Sequence, residues 1–220
     1  NAEYMGGSSK PREMMIMKNP ICFVCLSSVA FFFFHVPTCS SQESTSTTLD
    51  LTYINTSCAA TQFPSVCYQS LSRYACSVRQ DPGRLATAAM AVSLSRAARL
   101  STYLYNLSSA SHVADSVAPS ALADCISNVD DAVDEIQSSL KQMRDVSNSS
   151  SLDEVRFQIS NVQTWMSAAL TDQETCTDGF EGVDDWPMKD RLFDRVGKVK
   201  KFTSNALALV NNFAHSKTGY

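Results

Sequence analysis

Apolar residues recur in threes and fours along most of the chain, and this spacing predicts four long amphipathic helices. Helix A, about 84–108, places Leu85, Ala89, Val92, Leu100, Tyr103 and Leu107 on one stripe, with Ala88, Ala89 and Ala91 allowing close approach of a neighbour. Helix B, about 119–145, is the cleanest, with Leu122, Cys125, Val129, Val133, Ile136, Leu140 and Met143. Helix C, about 152–176, gives Leu152, Val155, Ile159, Val162, Met166, Ala169 and Cys176. Helix D, about 188–214, gives Leu192, Val196, Val199, Ala206, Val210 and Phe213. Alternation of the strand kind is missing from the pattern. Short polar connections make sequential helices antiparallel neighbours, so the expected fold is all-α, an up-down-up-down four-helix bundle.

The same reading predicts a smaller unit upstream. Leu49, Tyr53 and Ile54 begin a short helix ending near Cys58, and Pro64 suits the first turn of a second one through Val66, Cys67, Leu71 and Tyr74. Cys58 and Cys67 flank the Thr61-Gln62-Phe63-Pro64 bend, so a disulfide-stapled helical hairpin is the natural reading. Asp81-Pro82-Gly83 reads as a turn into the bundle. At the other end of the pattern, Asp178-Gly179 is expected to stop helix C, with glycine supplying a left-handed residue. The domain is thus expected over 49–220, with the hairpin at about 49–80 and the bundle at about 84–214.

The first 40 residues do not fit this scheme. Lys10, Arg12 and Lys18 precede an apolar run from Ile21 to Val36, and small residues follow at Thr38, Ser40 and Ser41. That is the layout of a secretory signal with cleavage near Ser40; the run is short for a membrane span and is interrupted by Ser27, Ser28 and His35. Residues 41–48 form a Ser/Thr-rich spacer expected to be mobile. The expected location is extracellular, with no membrane attachment after cleavage. The whole chain carries a formal charge of −4, and loss of the signal leaves it mildly acidic, which argues against nucleic acid as a partner.

Secretion makes the cysteines disulfide candidates. Cys58, Cys67, Cys76, Cys125 and Cys176 remain after the signal region. Helices B and C turn back near Asn148-Ser149, and Cys125 and Cys176 then lie about four residues out of level, roughly 6 Å of helix rise. A disulfide tolerates Cα separations of about 4.4–6.8 Å. Cys125–Cys176 therefore ranks first, with Cys76 as the competitor for Cys176 and otherwise a free, buried thiol.

A search for chemistry returns little. Of the three histidines, His35 falls in the signal, His112 between helices A and B, and His215 near the C-terminus. No metal cluster, nucleophile–base pair, Gly-x-Ser-x-Gly elbow or phosphate loop is written in the sequence, so no catalytic residue, cofactor or metal is assigned. Asp130, Asp131, Asp134 and Glu135 crowd helix B; carboxylates opposite an apolar stripe serve as a solvated face or a partner-binding face more readily than as an acid–base pair. Lys189, Arg191, Arg195, Lys198, Lys200 and Lys201 make helix D basic without the interleaved aromatics of a nucleic-acid platform. Asn55, Asn106 and Asn148 head glycosylation sequons.

These residues reach a known family. Cys58-x8-Cys67 with Phe63-Pro64, Asp124-Cys125 followed by Asp131-Ala132-Val133-Asp134-Glu135-Ile136, and Thr164-Trp165-Met166-Ser167-Ala168-Ala169-Leu170-Thr171 ahead of Cys176 and Asp178-Gly179-Phe180 together resemble the plant invertase and pectin methylesterase inhibitor domain. The resemblance spans about Tyr53 to Phe213 and implies the pairings Cys58–Cys67 and Cys125–Cys176. It implies a wall protein without catalysis, whose bundle covers the pectin-binding cleft of pectin methylesterase as a one-to-one complex. With no catalytic domain after Tyr220, a free inhibitor is expected rather than a pro-region. Invertase is the alternative target of the same fold; relatives of that branch carry Pro-Lys-Phe, and the nearest stretch here, Val155-Arg156-Phe157, lacks the proline. A structural or signalling wall protein is the alternative of a different class. Ser127 and Val129 stand where many members carry Glu and Tyr. The candidate contact residues are Asn128, Asp131 and Asp134, chosen for their polar positions on helix B.

Overall fold

The computed structural model describes residues 44–110, 118–183 and 186–219, and all the regular structure in them is helical. The segment read as a secretory signal, its expected cleavage region and His112 lie outside the described residues. Four long helices, α4 (Pro82–Ala110), α5 (Ala118–Val146), α6 (Leu152–Asp178) and α7 (Lys189–Thr218), follow the predicted stripes. Ahead of them come α1 (Ser44–Ala59), α2 (Pro64–Leu71), a single 3₁₀ turn at Ser72–Tyr74, and the one-turn α3 (Ala75–Val78).

Cross-helix bonds fix the antiparallel register. On α4 and α7, Ser93 Oγ lies 2.8 Å from Thr203 Oγ1, and further along Arg195 lies 4.1 Å from the centre of the Tyr103 ring, so one helix ascends as the other descends. On α6 and α7, Gln163 donates to Asn211 at 2.9 Å, and Lys200 meets Glu174 at 3.2 Å. Helix α5 packs on α4 and α6, and α7 closes the ring between α6 and α4, which leaves α5 and α7 on a diagonal. The expected up-down-up-down bundle is therefore the observed one.

Its core is drawn largely from the predicted stripes, with Met90 and Leu104 of α4 and Leu209 of α7 added and Tyr103, Val133, Leu140 and Val155 only half-buried. Leu85, Leu100, Val129, Ile136, Ile159, Met166, Leu192 and Val210 are buried, and burial of such side chains contributes about 1.5–3 kcal/mol each. Leu152 departs from the prediction: it is the first residue of α6, in a first turn that lies exposed, and is itself 52% exposed. Ser151 caps α6 by accepting from the Glu154 N–H.

The cysteines are joined as Cys58–Cys67, with Cα atoms 5.5 Å apart, and Cys125–Cys176, with Cα atoms 4.0 Å apart. Cys76 is not the free, buried thiol expected: it is half-buried and disulfide-bonded. The hairpin docks on α7 through Asn205, which accepts from the Phe63 N–H at 3.0 Å and donates to the Phe63 carbonyl at 2.9 Å. Beside it Ser204 donates to Gln62 at 2.8 Å.

Three local expectations are corrected. Helix α1 begins at Ser44, inside the stretch read as a mobile spacer; burial of Asp50 and Ile54 and the Gln80 Nε2 bond to Asp50 hold the helix frame, and it extends upstream through a Ser/Thr run that carries no breaker. Asp81-Pro82-Gly83 is not the turn. Asp81 caps α4 by accepting from the Arg84 N–H at 2.7 Å, Pro82 opens the helix, and the reversal is made by Arg79 (φ 48°) and Gln80 (φ 59°). Gly179 is right-handed (φ −59°), because the chain tightens past the end of α6 through the bonds Phe180 N to Thr177 O and Glu181 N to Asp178 O. The left-handed glycine comes three residues later, at Gly182 (φ 81°). The tightening drops Phe180 into full burial, stacked on Trp186 at 5.1 Å and edge-on to Phe193 at 6.2 Å.

Candidate protein-docking face on the α5–α6 seam

The acidic crowd on α5 is divided by the turn of the helix. Asn128, Asp131 and Glu135 fall at i, i+3 and i+7, one stripe along the seam with α6. Asp134 does not join them; it lines a separate groove with Leu94 of α4 and with Lys141 and Arg144 of α5 itself. Asp130 is engaged by α4, accepting from Ser101 Oγ and from the Tyr105 hydroxyl, each at 2.6 Å. That bond raises the Tyr105 pKa, since loss of the phenolic proton would leave two anions in contact.

Across the seam, Asp172 of α6 meets Glu135. Burial, then hydrogen bonding with Asp172 and the negative charges of Asp172 and Asp131, push the Glu135 carboxyl up to about 7. Its Oε2 is buried with no hydrogen-bond partner among the described residues. Glu135 is therefore about half protonated near neutrality, and it gains its negative charge as the pH rises through about 7. Beyond Asp172 the outer surface of α6 is a shallow depression of about 700 Å³ lined by Gln163, Thr164, Ser167, Ala168 and Thr171. Small side chains there let another protein's surface approach the helix closely.

A carboxyl poised near 7 is also what general acid–base catalysis uses. The histidine at hand does not complete such a site: His215 sits in the last turn of α7, level with about residue 160 of α6 by the observed register, roughly 18 Å along the axis from Asp172. Among the described residues no group of three His, Cys, Asp or Glu side chains is arranged to hold a metal ion. An acidic seam flanked by a flat, hydroxyl-rich helix face suits contact with a complementary protein surface.

The family model described as plant invertase/pectin methylesterase inhibitor matches residues 52–209, most of the chain. The chain belongs to that family. Within it, the inhibitor-family chain is similar to the "21 kDa protein" of Daucus carota, 42% identical over 163 residues that cover 74% of this chain and 83% of the relative. It is 34% identical to "Pectinesterase inhibitor 9" of Arabidopsis thaliana over 206 residues, 93% of this chain and 98% of that one. A crystal structure of a mutant form of a pectin methylesterase inhibitor from Arabidopsis superposes with a TM-score of 0.56 at 17% identity, covering 72% of this chain and 95% of that one, a likeness of fold.

For this member of the family, the three candidates named from their polar positions on helix B are divided by the structure: Asn128 and Asp131 lie on the stripe that carries Glu135, Asp134 lines the groove with Lys141 and Arg144, and Asp172 was not among the candidates. The missed residue lies in the Thr164–Phe180 stretch one position before Gln173, and its pairing with Glu135 needed the α5–α6 register. Asn55, Asn106 and Asn148 are all exposed, at α1, near the end of α4 and just after α5. Val155-Arg156-Phe157 lies inside α6, with Phe157 68% exposed.

Proposed function

We propose that the chain is a secreted inhibitor of pectin methylesterase, which it holds in a one-to-one complex that blocks the enzyme's pectin cleft. The observation that carries this reading is the likeness to a pectinesterase inhibitor along nearly the whole chain. Occlusion needs a rigid, complementary surface and no chemistry of the inhibitor's own, and a bundle cross-linked between α5 and α6 supplies rigidity where the contact is proposed. Asn128 and Asp131, with Glu135 and Asp172, form the proposed contact seam, and Asp134 an outlying contact. Their negative charge favours an enzyme with a basic rim, through faster association. The paired cysteines fit an oxidising, extracellular setting such as the cell wall, and glycans are proposed at Asn55, Asn106 and Asn148.

The test is residual activity of a panel of pectin methylesterases, and of wall and vacuolar invertases, mixed with the purified mature protein at several pH values. Loss of pectin demethylation alone is the expected result. Loss of sucrose hydrolysis alone overturns the choice of target, and no effect on either enzyme class overturns the inhibitor reading. Asp131→Lys is expected to weaken inhibition about tenfold or more, by placing like charges in contact.

A further inference from the structure

On the side of the bundle opposite the acidic seam, helices α4 and α7 enclose a groove of about 510 Å³ rimmed by cations. Arg96 and Arg99 face it from α4, and Arg195, Lys198 and Lys201 from α7, while Leu100, Val199 and Phe202 form its floor. Lys198 has a carboxylate neighbour, Asp194 at 2.6 Å. Arg96, Arg99, Arg195 and Lys201 have none within 4.0 Å among the described residues. In a protein with a net charge of −4, this concentration of unneutralised positive charge is not a product of composition.

The fold gives no reason for it either. Like charges at i and i+3 repel, and both rims of the groove carry that spacing. The guanidiniums are held in place by rings instead of by anions: Arg96 lies over Phe202 at 4.9 Å and Arg195 over Tyr103 at 4.1 Å. The N–H groups at the guanidinium edges are thereby left for a ligand. Arg195, Lys198 and Lys201 run in a line about 9 Å long on successive turns of α7. A row of cations above an apolar floor matches a linear polymer with a regularly spaced anion and an apolar ring face on each unit.

We infer that the α4–α7 groove binds a polysaccharide bearing a carboxylate on successive sugars, the product that removal of methyl esters from pectin creates. Arginine forks pair with the carboxylates, and the apolar floor of Leu100 and Val199, with the part of Phe202 that Arg96 leaves uncovered, takes the sugar C–H faces. The choice of this polyanion rests on the pectin-related function proposed above; the groove and its charge do not. Binding there would keep the protein on wall polymer that has already been de-esterified, with the opposite face free.

The test is fluorescence polarisation of the mature protein with a labelled, fully de-esterified galacturonic acid oligomer, its fully methyl-esterified form and a neutral glucan, with no enzyme present. The de-esterified oligomer is expected to bind with an affinity that falls as salt is raised, and the other two to bind at least about tenfold more weakly. R96Q/R99Q/R195Q should lose about tenfold or more of that affinity while keeping its helical circular dichroism and inhibition, and K141Q/R144Q, on α5, should bind as wild type. Equal binding of the esterified oligomer, salt-insensitive binding, or a triple variant that binds like wild type overturns the inference. So does binding to anionic phospholipid vesicles, or self-association abolished by the triple variant, without binding to the oligomer. Oligomer binding without enzyme inhibition would support the groove and sink the inhibitor reading; inhibition without oligomer binding would do the reverse.

Discussion

The two described disulfides close loops of very different length, and this sets a measurable order. Cys125–Cys176 joins residues 51 apart, and Cys58–Cys67 residues 9 apart. In the chain-entropy account, stabilisation grows with the logarithm of loop length, giving about 4 kcal/mol for the bundle bridge and about 2.5 kcal/mol for the hairpin bridge. Replacing each pair by alanine removes the same atoms from equally buried sites, so packing losses largely cancel and the difference reports the loops. For a domain of this size about 4 kcal/mol lowers Tm by roughly 8–16 °C, and about 2.5 kcal/mol by roughly 5–10 °C. Urea unfolding of C125A/C176A and C58A/C67A, each with the remaining bridges confirmed by non-reducing peptide mapping, measures both. A hairpin variant that loses as much as the bundle variant, with an unchanged urea slope, refutes the reasoning. A shallower slope for C58A/C67A instead identifies the hairpin as a separately unfolding unit.

Three further outcomes follow from particular contacts. Glu135, raised from 4.5 to about 7, keeps a proton in the folded state that the unfolded chain releases, so its contribution is fully present below about pH 4.5 and is lost as pH rises through about 7. Glu135→Gln should therefore gain about 1 kcal/mol on wild type between pH 4.5 and 8, a figure reduced for the side chain's partial exposure; a pH-independent difference in urea midpoints would count against the carboxyl pair. Asn205→Ala leaves the Phe63 N–H and carbonyl without their α7 partner and should cost about 2 kcal/mol, with faster hydrogen exchange in residues 58–67 than in α4–α7; uniform exchange would refute the docking role. Phe180→Ala should cost about 3–5 kcal/mol and red-shift the Trp186 emission, and an unshifted spectrum would contradict the stacked pair.

The bundle was legible because its signal is repeated: six or seven apolar positions per helix at one spacing leave a single way to bury them. Single-residue features were less legible. The left-handed reversal falls on Arg79 and Gln80, residue types that carry no such preference, while the glycine and proline nearby serve a helix start. Cys76 could be judged only by counting cysteines, and the count depended on where the signal was taken to end. One further signal was present and went unused. Gln173 lies between Ala169 and Cys176 on the α6 stripe, Thr203 between Val199 and Ala206 on α7, and Ser139 between Ile136 and Met143 on α5. Polar residues at stripe positions are buried, and two of these meet: Thr203 donates to Gln173 at 2.9 Å and lies 2.8 Å from Ser93 Oγ, tying three helices at the bundle centre. Such a chain of bonds fixes the relative height of the helices, which apolar contacts alone specify weakly.

The candidate sites were harder to read because charge was counted by helix and not by face. Helix α5 looks uniformly acidic and α7 basic, yet a rotation of about 100° per residue deals neighbouring charges to different surfaces. Asp130 goes to α4, Asp131 and Glu135 to the α6 seam, and Asp134 to a groove that already holds Lys141 and Arg144. On α7, Lys200 is turned to Glu174 of α6, whereas Arg195, Lys198 and Lys201 turn to α4. Because α5 and α7 are diagonal, the unneutralised remainders face opposite ways, and a chain of small net charge becomes a strongly dipolar body. A charged surface meeting such a body sees the near face at full strength and the far face through the width of the bundle, beyond the ~8 Å over which physiological salt screens. Orientation on approach is then set by the face, and two partners of opposite charge can be engaged at once without competing for the same helices.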